Sequence, residues 1–451
     1  MRPTNEASAS EPSARFDFSR ARRALLNWFK TNGRAFPWRD DPAPYRVWIS
    51  EIMLQQTTTQ TALGYFERFL ERFPDVNALA SASEEETLKY WEGLGYYRRA
   101  RALRQAAIQI VERFQARFPS EYDDVLSLPG VGRYAAGAIL SFGFDKRFPI
   151  LEANTTRLHA RLLALRSETS ASASQKLLWR FAEDWLPKDT SRRPKGLYRD
   201  INGALTDLGR LVCAPREPRC GACPLAQFCE SERLNLQNVV PVLKPKPEPI
   251  RRVDAAIVVF RADLDRADNV GEVEPRPETP LSADADVLLL RRPKGALWAG
   301  LWDFPRFDVL DPQAEELRDF SSDASLAERL QWFLEEEVGA NPKDYRVGKA
   351  LTTVRHAVTR YRVTLRVCQL ADAKLRLPAR SERPLLDLVE APKRAAPRRI
   401  APEQADVSTP QAEELRWVPI ASLPDFPLSS PARQVAKYVA EKALKKFLPI
   451  K

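Results

Sequence analysis

The sequence contains no long apolar segment, only five cysteines and only two histidines. A membrane-spanning helix needs about eighteen consecutive apolar residues, so their absence excludes a membrane protein. The odd number of cysteines and the lack of an apolar signal region near the first residue argue against a disulfide scaffold. We therefore expect a soluble, cytoplasmic protein whose thiols are reduced and free to bind metal.

The 451 residues are enough for two or three domains, each with its own hydrophobic core. Lysine and arginine number 70 against 60 for aspartate and glutamate, which gives a formal charge of +10. This balance favours polyanionic partners such as nucleic acid.

The apolar residues recur at helical spacing in the first half of the chain and at strand spacing in the second half. We predict a multidomain α and α/β fold: a disordered tail, an all-α domain, an extended proline-rich linker and a smaller α/β domain. The predicted bounds are 1–15, 16–233, 234–252 and 253–451. In the last domain we predict strands at 253–260, 285–292 and 361–370, a helix at 325–339 and a long loop at 375–413.

Four of the five cysteines, Cys213, Cys220, Cys223 and Cys229, form a C-x6-C-x2-C-x5-C pattern. Four thiolates on one short loop can surround a tetrahedral zinc ion or a [4Fe–4S] cluster. Zinc sites usually have two C-x2-C pairs, and the single pair with wide gaps favours the larger cluster. We expect a structural cluster rather than a redox catalyst, on a loop whose Arg216 and Arg219 face phosphate. The remaining Cys368 fits an apolar core position in a strand.

The segment LPGVGRYAAGAIL, residues 128–140, contains a tight glycine turn followed by a helix start. Gly130 and Gly132 leave backbone N–H groups open to a DNA phosphate, although such turns are often merely structural. Together, this turn and the cysteine pattern resemble the endonuclease III, or helix-hairpin-helix, superfamily of DNA glycosylases over residues 17–232. The resemblance implies an all-α glycosylase domain with a [4Fe–4S] cluster loop.

Lyase members of that superfamily carry a lysine at the position after Arg133, whose amine forms a Schiff base with the sugar. This chain has Tyr134, and tyrosine cannot form an imine. We therefore predict a monofunctional glycosylase that cuts the glycosidic bond with water.

The segments WISEIMLQQTTT (48–59), GLGYYRRAR (93–101) and FPWR (36–39) resemble the MutY-type adenine DNA glycosylases. On a helix, Glu51 shares a face with Val47, Trp48, Leu54 and Gln55. Burial on such a face raises the pKa of a carboxyl group, which suits a general acid. The alternative is a partly exposed glutamate near a helix start.

The second carboxylate of that family is an aspartate in a D-G-N setting, whereas this chain reads FPILEANTTR. The matching residues are Glu152, Ala153 and Asn154. An anion near C1′ stabilises or traps the oxocarbenium ion, and glutamate is one methylene longer than aspartate. We predict that the loss of glycine at Ala153 compensates for the longer acid and that the chain is active. The alternative is an impaired enzyme.

The resemblance also gives DNA-binding roles to residues around the carboxylates. Leu54 contacts DNA, Gln56 and Tyr96 wedge into the base stack, and Arg39 reads the extruded adenine. Gln56 and Tyr96 fit equally well as buried polar residues that cap helices. Gly203 falls where the family often carries Glu or Gln, which leaves that contact to adenine open.

The second half resembles a Nudix fold, and GLWDFPRF (300–307) resembles the C-terminal domain of the MutY-type family. Trp332 and Phe333 replace the Arg and Glu of a working Nudix box, so we expect lesion recognition rather than metal-dependent hydrolysis. The family reads 8-oxo-guanine with an F-S-H loop, and the aligned residues are Val358, Thr359 and Arg360. Thr359 keeps a hydroxyl group for the oxidised base.

These features predict a monomeric base excision repair enzyme, at the nucleoid if the source is bacterial. It would excise adenine opposite 8-oxo-guanine or guanine in double-stranded DNA. Glu51 would protonate adenine, Glu152 would stabilise the sugar cation, and Tyr134 and Asn154 would orient the carboxylates and water. His159 and His356 receive no catalytic role. The alternatives are a glycosylase for thymine or uracil opposite guanine, and a catalytically weak lesion-binding protein.

Overall fold

The structure is a computed structural model that describes most of the chain. The described residues are 16–188, 194–245, 247–261, 285–292, 298–308, 346–358, 361–371 and 414–444. The chain divides into two compact units, Met1–Ala82 with Arg98–Lys246 and Ser83–Tyr97 with Pro247–Lys451. Within the described residues, no helix is both long enough and apolar enough to cross a membrane.

The first unit is built from helices, which confirms the predicted all-α class for this part of the chain. The helices that precede the sheet are, in chain order, α1 (Phe18–Asn32), α2 (Pro37–Asp40), α3 (Pro44–Leu54), α4 (Thr59–Arg72), α5 (Val76–Ser81), α6 (Glu84–Trp91), α7 (Arg98–Phe114), α8 (Tyr122–Leu126), α9 (Arg133–Ala138), α10 (Ala153–Leu162), α11 (Ser172–Asp184), α12 (Leu197–Leu211) and α13 (Glu230–Arg233). Of these, α6 belongs to the second unit.

Side-chain caps and apolar faces explain where these helices form. The side chains of Thr58 and Asp75 accept backbone N–H groups at the first turns of α4 and α5, which satisfies donors that have no partner within the helix. The α1 and α12 helices pack with α11 around a core that includes Leu25, Phe181 and Ile201. Burial of these side chains supplies the main stabilisation of the first unit.

The predicted extended linker is partly wrong. Val240 is buried against Leu151, Ala160 and Leu178, and the Arg161 Nε donates to the Val240 carbonyl at 2.8 Å. An apolar side chain and a buried arginine therefore hold this part of the segment on the first unit. The boundary between the two units falls after residue 246.

The second unit contains a mixed sheet and a C-terminal helix, which confirms the predicted α/β class. Its elements are β1 (Ile250–Arg261), β2 (Asp286–Arg291), β3 (Trp302–Asp303), β4 (Arg306–Asp308), β5 (Arg346–Val358), β6 (Tyr361–Ala371), β7 (Leu415–Pro419) and α14 (Ser430–Leu444). The strand order is β3-β2-β1-β6-β5, with β1 and β6 parallel, β4 paired to β1 and β7 paired to β2. One face of the sheet packs against α14.

The three predicted strands correspond to β1, β2 and β6, whereas β5, β7 and α14 were not predicted from the sequence. The predicted tail at 1–15, helix at 325–339 and loop at 375–413 lie outside the described residues.

Residues 83–97 were predicted to lie within the all-α domain, but they cluster with the second unit. Arg433 on α14 binds both carboxylate oxygens of Glu92, at 2.5 and 2.7 Å. It also donates to the carbonyls of Leu423 and Phe426, and the Trp302 indole N–H donates to Glu85 at 3.1 Å. This arginine, which sequence periodicity does not single out, attaches the segment to the unit.

Candidate active site

A cavity of about 820 Å³ in the first unit is lined by all four predicted catalytic side chains. Its walls come from α1, α2, α3, α9, α10 and α12. The predicted site residues that line it are Arg39, Glu51, Leu54, Gln56, Tyr134, Glu152, Asn154 and Gly203. The helical fold thus brings together residues that are far apart in the sequence.

Glu51 lies on the apolar face of α3 and is only 6% exposed. Burial raises the pKa of its carboxyl group to about 7, with a smaller contribution in the same direction from Glu152. It is the eighth residue of a helix that begins at Pro44, so the alternative of an exposed glutamate near a helix start is wrong. A group with this pKa is protonated in part at neutral pH and can act as an acid.

Tyr134 holds the Glu51 carboxyl group in place. The Tyr134 hydroxyl donates to the Glu51 Oε2 at 2.7 Å from the first turn of α9. Burial raises the pKa of this tyrosine well above its usual range, so its hydroxyl keeps its proton and remains a donor. The other carboxyl oxygen of Glu51 is not used in this bond.

Glu152 is the N-cap residue of α10, where three N–H groups surround its carboxylate. The backbone N–H groups of Asn154 and Thr155 donate at 2.8 and 2.9 Å, and the Asn154 side-chain amide donates at 3.1 Å. Burial raises the pKa of Glu152, while these bonds and the Arg157 charge oppose that rise. Three N–H donors and a helix N-terminus favour the anion. Glu51, by contrast, has one hydroxyl donor.

The predicted compensation between Ala153 and the longer acid stays a prediction. Ala153 is the first residue of α10 and has a right-handed backbone, so the position does not require glycine. The longer side chain of Glu152 is accommodated by its own capping bonds to the first turn.

A short series of hydrogen bonds leads from Glu152 to the cysteine loop. The Asn154 Oδ1 accepts from the Arg157 Nη2 at 2.9 Å, and the same nitrogen donates to the Gly209 carbonyl at 2.7 Å. The Arg157 Nε donates to the carbonyl of Cys213 at 2.8 Å. Arg157 was not predicted from the sequence, where it is one of many arginines.

Arg39 is held by Asp207, another residue that the sequence did not reveal. The guanidinium group makes two bonds to the Asp207 carboxylate, at 2.7 and 3.0 Å, and Asp207 is only 2% exposed. Asp207 follows Gly203 by one turn on α12, so the two share a helical face. A Cβ atom at Gly203 would lie 3.2 Å from the Phe29 ring, which leaves little room for a larger side chain.

The structure separates the two predicted wedge residues into different units. Gln56 lines the cavity in the first unit, whereas Tyr96 belongs to the segment that clusters with the second. Both have a positive φ, 62° and 48°, which is uncommon for residues other than glycine. Tyr96 is 53% exposed, so the alternative of a buried capping residue is wrong for it.

The two glycines of the turn have different surroundings, and only Gly130 requires the absence of a side chain. Gly130 has φ +77°, and a Cβ atom there would lie 2.7 Å from that of Ala102. Gly132 is the N-cap residue of α9 and has open space around it.

Thr359 and Arg360, the predicted lesion-reading residues, lie outside the described residues.

The four clustered cysteines line one cavity together with Arg161. Arg161 donates to the Cys213 Sγ at 3.3 Å and to the Ala214 carbonyl at 2.7 Å. In the part of the chain that the structure describes, no three His, Cys, Asp or Glu side chains are arranged to hold a metal ion. The four thiols that line this cavity are the residues that would hold the predicted cluster.

The two arginines of the cysteine loop, Cys368 and His159 lie outside the cavity of the carboxyl groups. Arg216 is exposed, but the Arg219 guanidinium donates to the Leu211 carbonyl, so it is engaged within the loop. Cys368 is buried in the sheet, as predicted. Burial lowers the pKa of His159 to about 3, so it is neutral and packs against Phe181.

Comparison with known proteins agrees with this architecture. The HhH-GPD superfamily of base excision DNA repair proteins matches residues 49–184, and the NUDIX domain matches residues 281–438. A curated adenine DNA glycosylase of Buchnera aphidicola subsp. Schizaphis graminum is 41% identical over 206 residues, which is 46% of this chain and 57% of that protein. One of Homo sapiens is 31% identical over 383 residues, which is 76% of this chain and 66% of that protein.

A solved structure of a thermostable thymine-DNA glycosylase aligns with a TM-score of 0.41 and 27% identity. The alignment covers 47% of this chain and 95% of that one. The matches to the two adenine DNA glycosylases span less than two thirds of those relatives' lengths.

We predict that Glu51→Gln stabilises the protein at pH 8 and has little effect at pH 5. The pKa of Glu51 is about 7 in the folded chain against 4.5 for an ordinary glutamate. The folded chain therefore binds this proton more tightly than the unfolded chain, so the free energy of unfolding falls as pH rises from about 4.5 through 7. The glutamine amide does not ionise, so the variant avoids this loss of stability, which amounts to about 3 kcal/mol at most. The thermal unfolding midpoints of the parent and the variant, compared at pH 5 and at pH 8, measure this difference in stability. Glu67→Gln, on the exposed side of α4, is the control, and equal midpoints for parent and Glu51→Gln at pH 8 would contradict the burial argument.

Proposed function

Because the chain belongs to the HhH-GPD superfamily of base excision DNA repair proteins, we propose that it is a monofunctional DNA glycosylase that excises adenine. The substrate is double-stranded DNA with adenine opposite 8-oxo-guanine or guanine, and the enzyme acts as a cytoplasmic monomer. The observation that carries this proposal is the pair of carboxyl groups in one cavity, one with a pKa raised to about 7 by burial and one that accepts three N–H bonds at a helix N-terminus.

Glu51 is the general acid. Tyr134 fixes one oxygen of its carboxyl group, and the other oxygen is left to donate a proton to the ring of the extruded adenine. Protonation makes adenine a better leaving group. Water then completes hydrolysis, because Tyr134 stands where a lyase would carry its lysine and cannot form an imine.

Glu152 stabilises the positive charge that develops on the sugar. Its carboxylate is fixed by Asn154 and Thr155 before substrate arrives, so little reorganisation is needed during the reaction. An anion on one side of C1′ and an acid at the leaving base are the two parts that glycoside hydrolysis requires.

Arg39 and Asp207 read the adenine. The family contact at Gly203 is missing, and Asp207 supplies a carboxylate one turn further along the same face of α12. Gln56 and Tyr96 hold the DNA stack open, Leu54 contacts the DNA, and the Gly130–Gly132 turn binds a phosphate. On the opposite strand, Thr359 and Arg360 of the Nudix-like unit read 8-oxo-guanine.

The four cysteines hold a [4Fe–4S] cluster. Ligation of a cluster by all four thiolates would fix the loop. Arg157 bonds to the Cys213 carbonyl at one end and to Asn154 at the other, so an ordered loop also fixes the residues around Glu152.

The first prediction tests the reaction. The parent protein should release adenine from an A:8-oxo-guanine duplex in single-turnover assays, and its rate should fall as pH rises through about 7 because Glu51 loses its proton. Glu51→Gln should bind the duplex and release no base. Release of thymine or uracil opposite guanine instead of adenine would support the other mismatch glycosylase, and binding without any release would support a lesion-binding protein.

The second prediction concerns the cluster. Purified anaerobically, the protein should be brown and contain about four irons per chain. Cys220→Ser should lower the iron content. It should also lower the rate of excision, because the loop loses its order without the cluster. Colourless protein with one zinc ion per chain would overturn the cluster assignment.

The third prediction concerns the longer acid. Glu152→Asp should preserve the helix cap, since aspartate is a preferred N-cap residue, and should slow excision because the carboxylate is withdrawn from the cavity. Adding Ala153→Gly should cost up to about 1 kcal/mol of stability at the helix start without restoring the rate. Single-turnover rates and unfolding midpoints separate the two effects. A Glu152→Asp enzyme faster than the parent would show that Glu152 impairs catalysis.

A further inference from the structure

Strands β5 and β6 form an antiparallel ribbon with two very different faces. The register pairs Thr353 with Arg366, Arg355 with Thr364, and Ala357 with Arg362. These six residues point to one face because side chains alternate along a strand. The residues between them point to the other face, where Val354, Leu365 and Val367 are buried in the core of the second unit.

The face that carries the pairs is basic. Arg355 and Arg362 are exposed and Arg366 is half-buried. The parallel register of β1 with β6 places the exposed Arg251 beside Arg362 on the same side of the sheet. We call Arg251, Arg355, Arg362 and Arg366 the arginine face.

Within the described residues, the arginine face has no carboxylate partner. Its strand positions are occupied by arginine, threonine, alanine and valine, and none of the four arginines forms an ion pair there. By contrast, the neighbouring Arg252 and Arg306 are both paired with the buried Asp254. Like charges on adjacent strands repel one another, so a bound anion would stabilise this arrangement.

The face also has the shape and the donors of an anion site. Thr353, Arg355, Thr364 and Arg366 line a shallow concavity of about 420 Å³. These residues bring two threonine and two arginine side chains to its walls. Guanidinium groups match phosphate geometry with two parallel N–H bonds, and threonine hydroxyls also commonly bind phosphate oxygens.

We propose that the arginine face binds the phosphate backbone of double-stranded DNA. This inference rests on the proposed function, which supplies duplex DNA as the substrate. Contacts to phosphate add affinity and salt dependence without reading sequence. The arginine face therefore differs in role from Thr359 and Arg360, which we propose to read the oxidised base.

The test compares two double variants that remove the same charge. Arg355→Gln with Arg366→Gln changes the arginine face, and Lys437→Gln with Lys442→Gln changes two exposed lysines of α14. Fluorescence anisotropy with an A:8-oxo-guanine duplex and with an undamaged duplex gives Kd at several salt concentrations. Unfolding midpoints show that each variant is folded.

We expect the arginine variant to raise Kd about tenfold for both duplexes and to reduce the salt slope by ~0.9 for each lost phosphate contact. The lysine variant should match the parent in both respects. An arginine variant with the Kd and slope of the parent would overturn the proposal. So would weakened binding of polyglutamate with unchanged binding of duplex, because the face would then serve an acidic protein partner.

The result of this binding test can be distinguished from the result of the test of glycosylase activity. A parent protein that binds duplex through the arginine face but releases no base would overturn the glycosylase activity and leave the arginine face standing. A parent that excises adenine while the arginine variant binds normally would overturn the arginine face alone.

Discussion

The cavity of the first unit depends on the different surroundings of two carboxyl groups, Glu51 and Glu152. Burial alone raises the pKa of both Glu51 and Glu152. The difference comes from their donors, since Glu51 receives one hydroxyl bond from Tyr134 whereas Glu152 receives three N–H bonds at a helix N-terminus. The bonds to Glu152 favour its anion and burial favours the protonated form of Glu51, and the proposed chemistry needs one group of each kind.

The same constraint explains how the surrounding helices are joined. The position of the Glu152 carboxylate depends on the first turn of α10. That turn is held through Asn154 and Arg157 to the carbonyl of Cys213. The cysteine loop is thus part of the support for the active site. On the other side of the cavity, the buried Asp207 fixes Arg39 with two bonds.

The second unit divides its surfaces by charge. One side of the β5–β6 ribbon supplies apolar side chains to the core, and the other carries arginines without acidic partners in the described residues. Segment 83–97, with the exposed Tyr96, is attached to this unit through Arg433. The residues proposed to act on DNA therefore belong to both compact units.

The sequence by itself determined the fold classes, the four-cysteine pattern, the carboxyl group of Glu51 on an apolar face and the tyrosine at 134. These follow from local spacing, because the period of apolar residues fixes the type of element and the face that is buried. Only the tertiary structure decided the pairing of Arg39 with Asp207, 168 residues apart, the bond of Arg157 to Cys213, 56 residues apart, and the attachment of segment 83–97 to the second unit. Such pairs depend on how helices and strands pack, and a long-range ion pair leaves no period in the sequence.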